Sequence, residues 1–193
     1  MVDTAPEHLT DDFLGSVNIF STAIRELLER QLNLVAKNRI TFSQLKLLNL
    51  ISHTEGHTIG DVAAFLGVSN AAASKAVDRL VRRQLLLREE AATDRRAVRL
   101  SVTEAGRQIL ANYDGAAMEA LRSVFGSIPT DRLRETAKLL DELSMSIVKG
   151  DDGPDAVCFR CGIHFREKCL LRQITGRACY LHHHKRQAVK QSA

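Results

Sequence analysis

A chain of 193 residues, 45% hydrophobic and 26% charged, has the size and balance of one globular domain with an appendage. Its formal charge is a mild +4, no apolar run is long enough to span a membrane, and the acidic opening MVDTAPEHLTDDF is not a signal peptide, so a cytosolic protein is expected. There is no Gly-rich phosphate loop, no motif-borne carboxylate pair and no catalytic triad pattern, and an enzyme is therefore not expected. The charge is uneven: residues 1–37 hold three basic and six acidic side chains, whereas residues 69–99 hold eight basic and four acidic. A local basic patch of that kind points to a polyanionic partner such as nucleic acid.

In chain order, Phe13, Val17, Phe20, Ile24, Leu28, Leu32 and Val35 recur every three or four positions, which predicts one long amphipathic helix over residues 11–36 with Thr10 as its N-cap. A second helix is expected over 43–53, opened by a Thr41–Gln44 capping box and closed near Gly56. Next comes TIGDVAAFLGVSNAAASKAVDRLVRRQLLL. Thr58, with Asp61 three residues on, caps a short helix to Leu66. Gly67 closes it in the left-handed conformation, and Ser69 caps a new helix to about residue 84. Two helices joined by a short Gly-containing turn form a helix-turn-helix. The second helix has a core face of Ala73, Ala76, Val77 and Leu80. Its opposite face is polar and cationic, with Asn70, Ser74, Lys75, Arg79 and Arg82. Arg82 and Arg83 can equally do no more than solvate the helix end.

After Gln84 the period changes. LLLREE and AVRLSV read as two strands joined by the polar, basic tip AATDRR, the layout of a winged helix. Thr103 caps a helix to about residue 125. Pro129 interrupts the chain, and a last helix runs to about residue 149 with Leu133, Ala137, Leu140, Leu143 and Ile147 on one side. GDDGPD, residues 150–155, is a linker.

From Thr41 to Gly106 these residues resemble the MarR family of bacterial transcription regulators. The resemblance rests on TFSQLKLLNLI, on the helix-turn-helix and above all on DRRAVRLSVTEAG. It covers roughly residues 10–149 and implies a mainly α, winged helix-turn-helix fold with about six helices and a two-stranded wing. The implied organisation is a dimerisation helix in residues 1–40, a DNA-binding domain in 41–103 and further dimerisation helices in 104–149. As the resemblance has it, a homodimer presents two recognition helices to successive major grooves of a pseudo-palindromic operator in double-stranded DNA. Ser69, Asn70, Ser74, Lys75 and Arg79 then face the DNA. Asp94, Arg95 and Arg96 form the wing tip, Arg96 reaching the minor groove and Asp94 holding a wing arginine. The residue chemistry agrees: Lys75 and Arg79, four apart, share a face and can reach phosphates or guanine edges, and Ser69 and Asn70 stand where a helix N-terminus favours phosphate. The family also implies a small-molecule effector as one mode of control.

Residues 156–193 lie outside that pattern and hold all four cysteines: Cys158, Cys161, Cys169 and Cys179. In a cytosolic chain a structural disulfide pair is not expected. Three chemistries fit. Four thiolates in a short segment, among apolar and basic residues, suit a [4Fe–4S] or [2Fe–2S] cluster. CFRCG is also a zinc-knuckle sequence, so the tail can be a small zinc-binding extension, held by all four cysteines or by Cys158, Cys161, Cys179 and His182. A thiol switch is the third. His164, His183 and His184 read as solvated. Two functions follow from the sequence: a regulator, most simply a repressor, that senses redox state, oxygen, nitric oxide or iron supply through a cluster, or one released by a small molecule with zinc as a staple.

Overall fold

The computed structural model describes residues 7–37, 39–53, 57–91 and 94–148, together with positions 157 and 161. Among the described residues, six helices and one hairpin follow in order: α1 (Glu7–Ala36), α2 (Phe42–His53), α3 (Ile59–Leu66), α4 (Asn70–Arg82), β1 (Leu86–Ala91), β2 (Asp94–Val102), α5 (Glu104–Phe125) and α6 (Thr130–Val148). This is a winged helix-turn-helix: α3 and α4 pack on each other, and the β1–β2 wing follows α4 directly.

Side chains close the helix ends, and they do so where the sequence placed them. Thr41 donates its backbone N–H to Gln44 Oε1 at 3.1 Å, and the Gln44 N–H returns to Thr41 Oγ1 at 3.4 Å. At α3 the Asp61 N–H reaches Thr58 Oγ1 at 3.1 Å while Asp61 Oδ2 accepts the Thr58 N–H at 2.8 Å. Each reciprocal pair satisfies two backbone donors that a helix start leaves open. Ser69 and Thr103 cap α4 and α5 by accepting the N–H groups of Ala72 and Gly106. Gly67 adopts φ 66°, and the Val68 N–H reaches the Ala63 carbonyl at 3.0 Å, so α3 ends in a left-handed turn that a side chain would strain. The expected Thr10 cap is not one. Thr10 lies inside α1, which begins at Glu7 and so gains a further turn ahead of the apolar stripe. The expected stop at Gly56 lies outside the described residues; α2 ends at His53.

The core gathers around the helix-turn-helix. Leu32 of α1, Leu47, Leu48 and Leu50 of α2, Val62 of α3, Val77 and Leu80 of α4 and Leu86 of β1 are almost wholly enclosed. Tyr113 of α5 meets Phe42 edge to face, with ring centroids 6.4 Å apart. β1 and β2 pair antiparallel from Leu86 opposite Val102 to Glu90 opposite Val98, and an irregularity between Glu90 and Ala91 then shifts the register. At the base of the wing, a Cβ on Gly106 would lie 2.5 Å from the Leu85 carbonyl oxygen and 2.6 Å from Val102 Cγ1. Glycine is what lets α5 start against the strands.

The outer helices are less enclosed. α1 packs along α5, yet Leu14, Ile19 and Phe20 are exposed on it. Of the 19 residues of α6 a single one, Met145, is buried, and Leu140, Leu143 and Ile147 face outward. The stripe read from the sequence is present but uncovered within one chain. Among the described residues, no helix is long and apolar enough to cross a membrane.

Candidate nucleic-acid interface

The sequence of α4 divides into two faces because alanine, valine and leucine recur at helical spacing. Ala73, Val77 and Leu80 are buried, and Ala76 packs against the same core at its margin. What remains outward is Ser69, Asn70, Ala71 and Ala72 at the start, then Lys75, Arg79 and Arg82. Lys75 and Arg79 stand one turn apart, about 6 Å along the axis, and both are exposed. Ser74 is half-buried on the flank between the two faces. The start of the helix carries no bulky side chain, so a groove or a phosphate can approach the open N–H groups closely.

One carboxylate, Asp78, lies within α4, and it is engaged. Arg88 of β1 donates to Asp78 Oδ1 at 3.2 Å, tying wing to helix. Both partners are partly exposed, so the pair contributes little stability. Its effect is on charge: with Asp78 matched, the outward face of α4 is left cationic. Arg82 folds back along its own helix, its Nε donating to the Asp78 carbonyl at 3.3 Å.

Asp94, Arg95 and Arg96 open β2 at the far end of the hairpin from Gly106, on the irregular side of the register shift. Their side chains lie outside the described residues. The backbone therefore brings the wing sequence to the end of a two-stranded arm beside α4, with no side-chain geometry attached to it.

Sequence reasoning missed the role of Arg83. It caps α4 at its C-terminus and reaches away from the outward face. Its Nη1 donates to Gln44 Oε1 at 3.0 Å and also to the Arg39 carbonyl. Gln44, itself buried, thus serves both the Thr41 cap and Arg83. No local signal announces a pair 39 residues apart. The two following residues are engaged as well. Gln84 has φ 58°, its N–H reaches the Val81 carbonyl, and the Leu85 N–H reaches the Leu80 carbonyl at 3.0 Å. That is a Schellman end to α4 with glutamine, not glycine, in the left-handed position. Thr103 then donates its hydroxyl to the Gln84 carbonyl at 2.8 Å and its N–H to the Leu85 carbonyl at 3.1 Å.

Of the tail candidates, Cys161 is a described residue, and it is exposed. Cys158, Cys169, Cys179, His164, His182, His183 and His184 lie outside the described residues, as does the 150–155 linker. Among the described residues, no group of His, Cys, Asp or Glu side chains could hold a metal ion.

Residues 40–97 match the family model described as MarR family. Solved structures share the architecture. A MarR family transcriptional regulator from Rhodococcus sp. RHA1 is 21% identical with a TM-score of 0.56, covering 72% of this chain and 96% of its own. An F27L mutant of MepR from S. aureus, bound to an oligodeoxyribonucleotide, is 18% identical with a TM-score of 0.52, over 70% of this chain and 97% of its own. CouR from Rhodococcus jostii RHA1, bound to p-coumaroyl-CoA, is 22% identical with a TM-score of 0.55, over 72% of this chain and 95% of its own. At these identities the likeness speaks for the fold, and the match over residues 40–97 speaks for the family. Over residues 40–97 the chain is similar to the MarR family, and its winged helix-turn-helix fold is the fold of these structures.

Proposed function

We propose that the protein is a DNA-binding transcription regulator, most simply a repressor, that grips a pseudo-palindromic operator as a two-fold homodimer. The observation that carries this reading is the outward face of α4. Small residues stand at its N-terminus, Lys75 and Arg79 stand one turn apart, and the helix's single carboxylate is matched by Arg88. Such a face suits the major groove, phosphates taking the helix start and the cations, and base edges taking the side chains between. The neighbour from S. aureus, solved on an oligodeoxyribonucleotide, uses the same architecture. Asp94, Arg95 and Arg96 extend the contact through the wing, with Arg96 in the minor groove.

The dimer reading is supported by the outer helices. A helix that buries only Met145 gains little from its own chain, and Ile147, 78% exposed, and Ile19, 70% exposed, lie on α6 and α1. Pairing these faces across a two-fold axis would remove that apolar surface from water and hold two copies of α4 apart at a fixed spacing.

The test is binding to a DNA fragment selected from a random pool, measured across salt concentrations. Lys75→Ala and Arg79→Ala are each expected to weaken binding. A side chain that touches phosphate also lowers the salt slope by about 1 on removal. Arg96→Ala is expected to weaken binding while leaving the dimer intact. Wild-type affinity in all three variants would overturn the reading.

For the signal, the four cysteines of the tail support an iron–sulfur cluster that senses redox state, oxygen, nitric oxide or iron supply, with structural zinc as the alternative. That support is the sequence: the number of thiols and the apolar and basic residues between them. A small-molecule effector is the second reading, favoured by the R. jostii neighbour bound to p-coumaroyl-CoA.

A further inference from the structure

The three residues that follow α4 bind three separate parts of the molecule. Arg83 holds the Arg39 carbonyl in the segment between α1 and α2, and Gln44 in the first turn of α2. Gln84 and Leu85 offer their carbonyls to Thr103, the N-cap of α5. Leu85 is also pressed against Gly106, where no Cβ would fit. The C-terminal end of α4 is therefore fixed to the segment between α1 and α2, to the first turn of α2 and to the start of α5. The N-terminal end is joined to α3 through Gly67 and Val68. We propose that this junction sets the orientation of α4 relative to the outer helices, with Arg83 as a positioning residue for DNA recognition that itself touches no DNA.

A helix is stiff over 13 residues, so what is fixed at one end aims the other. Arg83 has two acceptors on one side, and one of them, Gln44 Oε1, is held in turn by the Thr41 N–H. A guanidinium kept in place by a capped glutamine resists rotation of α4 about the Schellman turn better than the turn alone would. A displacement of the α1 end carries Arg39 and Thr41 with it, and through Arg83 it tilts α4. Two copies of α4 must match two successive grooves, so a small tilt is multiplied by the lever of the helix. This rests on the proposal that α4 is the recognition helix.

The experiment uses the full chain and the pool-selected DNA fragment. Arg83→Met keeps the apolar stem and removes the donors, and Gln44→Met removes the acceptor without changing charge. Gln44→Glu keeps an acceptor for both partners. The expected result is a roughly five- to tenfold loss of affinity in both methionine variants, in the range of coupling between sites, with the wild-type salt slope retained. Gln44→Glu is expected to stay near wild type, and Arg83→Met combined with Gln44→Met to lose less than the product of the two single losses, because the Arg83–Gln44 bond is common to both. A salt slope lowered by about 1 in Arg83→Met would instead make Arg83 a phosphate contact, and unchanged affinity in folded methionine variants would also overturn the proposal. If neither methionine variant folds, the junction is a folding requirement and the positioning role is likewise overturned. Failure of the underlying reading looks different: there, Lys75→Ala leaves binding unchanged too.

Discussion

Gly106 sits against Leu85 so closely that a Cβ would stand 2.5 Å from the Leu85 carbonyl oxygen. The same Cβ would meet Val102 Cγ1 at 2.6 Å, so neither backbone nor side chain leaves room. Gly106→Ala is expected to destabilise the chain by about 1–3 kcal/mol, the range for overpacking a fitted site. Urea denaturation reads this directly. A midpoint equal to that of the wild type would mean that α5 can slide away from the wing base without loss.

Gln84 predicts the opposite sign. It is exposed and holds φ 58°. A left-handed L-residue costs about 1–2 kcal/mol, and glycine gives back about 0.5–1 kcal/mol of that through its freer unfolded state. Gln84→Gly is thus expected to stabilise by roughly 0.5–1 kcal/mol, seen as a raised Tm. Because the Thr103 contact is to the Gln84 carbonyl, the substitution leaves it in place.

Tyr113 gives a pH dependence. Burial first, and then the Asp114 carboxylate, raise its phenol from 10.0 to about 12. The folded chain thus holds this proton more tightly than the unfolded chain does. The stability linked to it is complete below pH 10.0 and is lost as pH rises through about 12. Tyr113→Phe has no such proton to lose. The difference in stability between wild type and Tyr113→Phe, followed by denaturation along an alkaline series, is expected to shift against the wild type across that window. A constant difference would rule out this linkage.

The tail has its own test. Protein purified without oxygen is expected to be brown, with iron and sulfide in proportion; colourless protein holding one zinc per chain would sink the cluster reading. Cys169→Ser separates the ligand sets. It abolishes a site made of four cysteines and spares one made of Cys158, Cys161, Cys179 and His182.

The residues that were legible in the sequence are those whose partners lie three positions away. Thr41 with Gln44, Thr58 with Asp61, and Thr103 with Gly106 are local geometry, and each is formed as read. Gly67 is equally local. Thr10 misled because a good cap residue in front of an apolar stripe does not forbid the helix from continuing upstream. Arg83 was illegible for the converse reason. A run of arginines at a helix end reads as solvation, and only the packing of α2 and the segment before it against α4 gives one of them two acceptors. Gln84 hid likewise, since left-handed helix ends are ordinarily announced by glycine. The α6 stripe was legible as a stripe, but its exposure within one chain follows from packing, which periodicity does not encode.

The wing is a beam clamped at one end. Its root is gripped by Thr103, Leu85 and Gly106, and its pairing slips out of register after Glu90. A cantilever of this kind separates two design problems. Substitutions at the root are expected to disturb the body, and the segment beyond Glu89 is expected to tolerate changes of length and charge. On the proposed DNA contact, a wing grafted from another regulator beyond Glu89 is expected to change the DNA sequences preferred while leaving the melting temperature where it was.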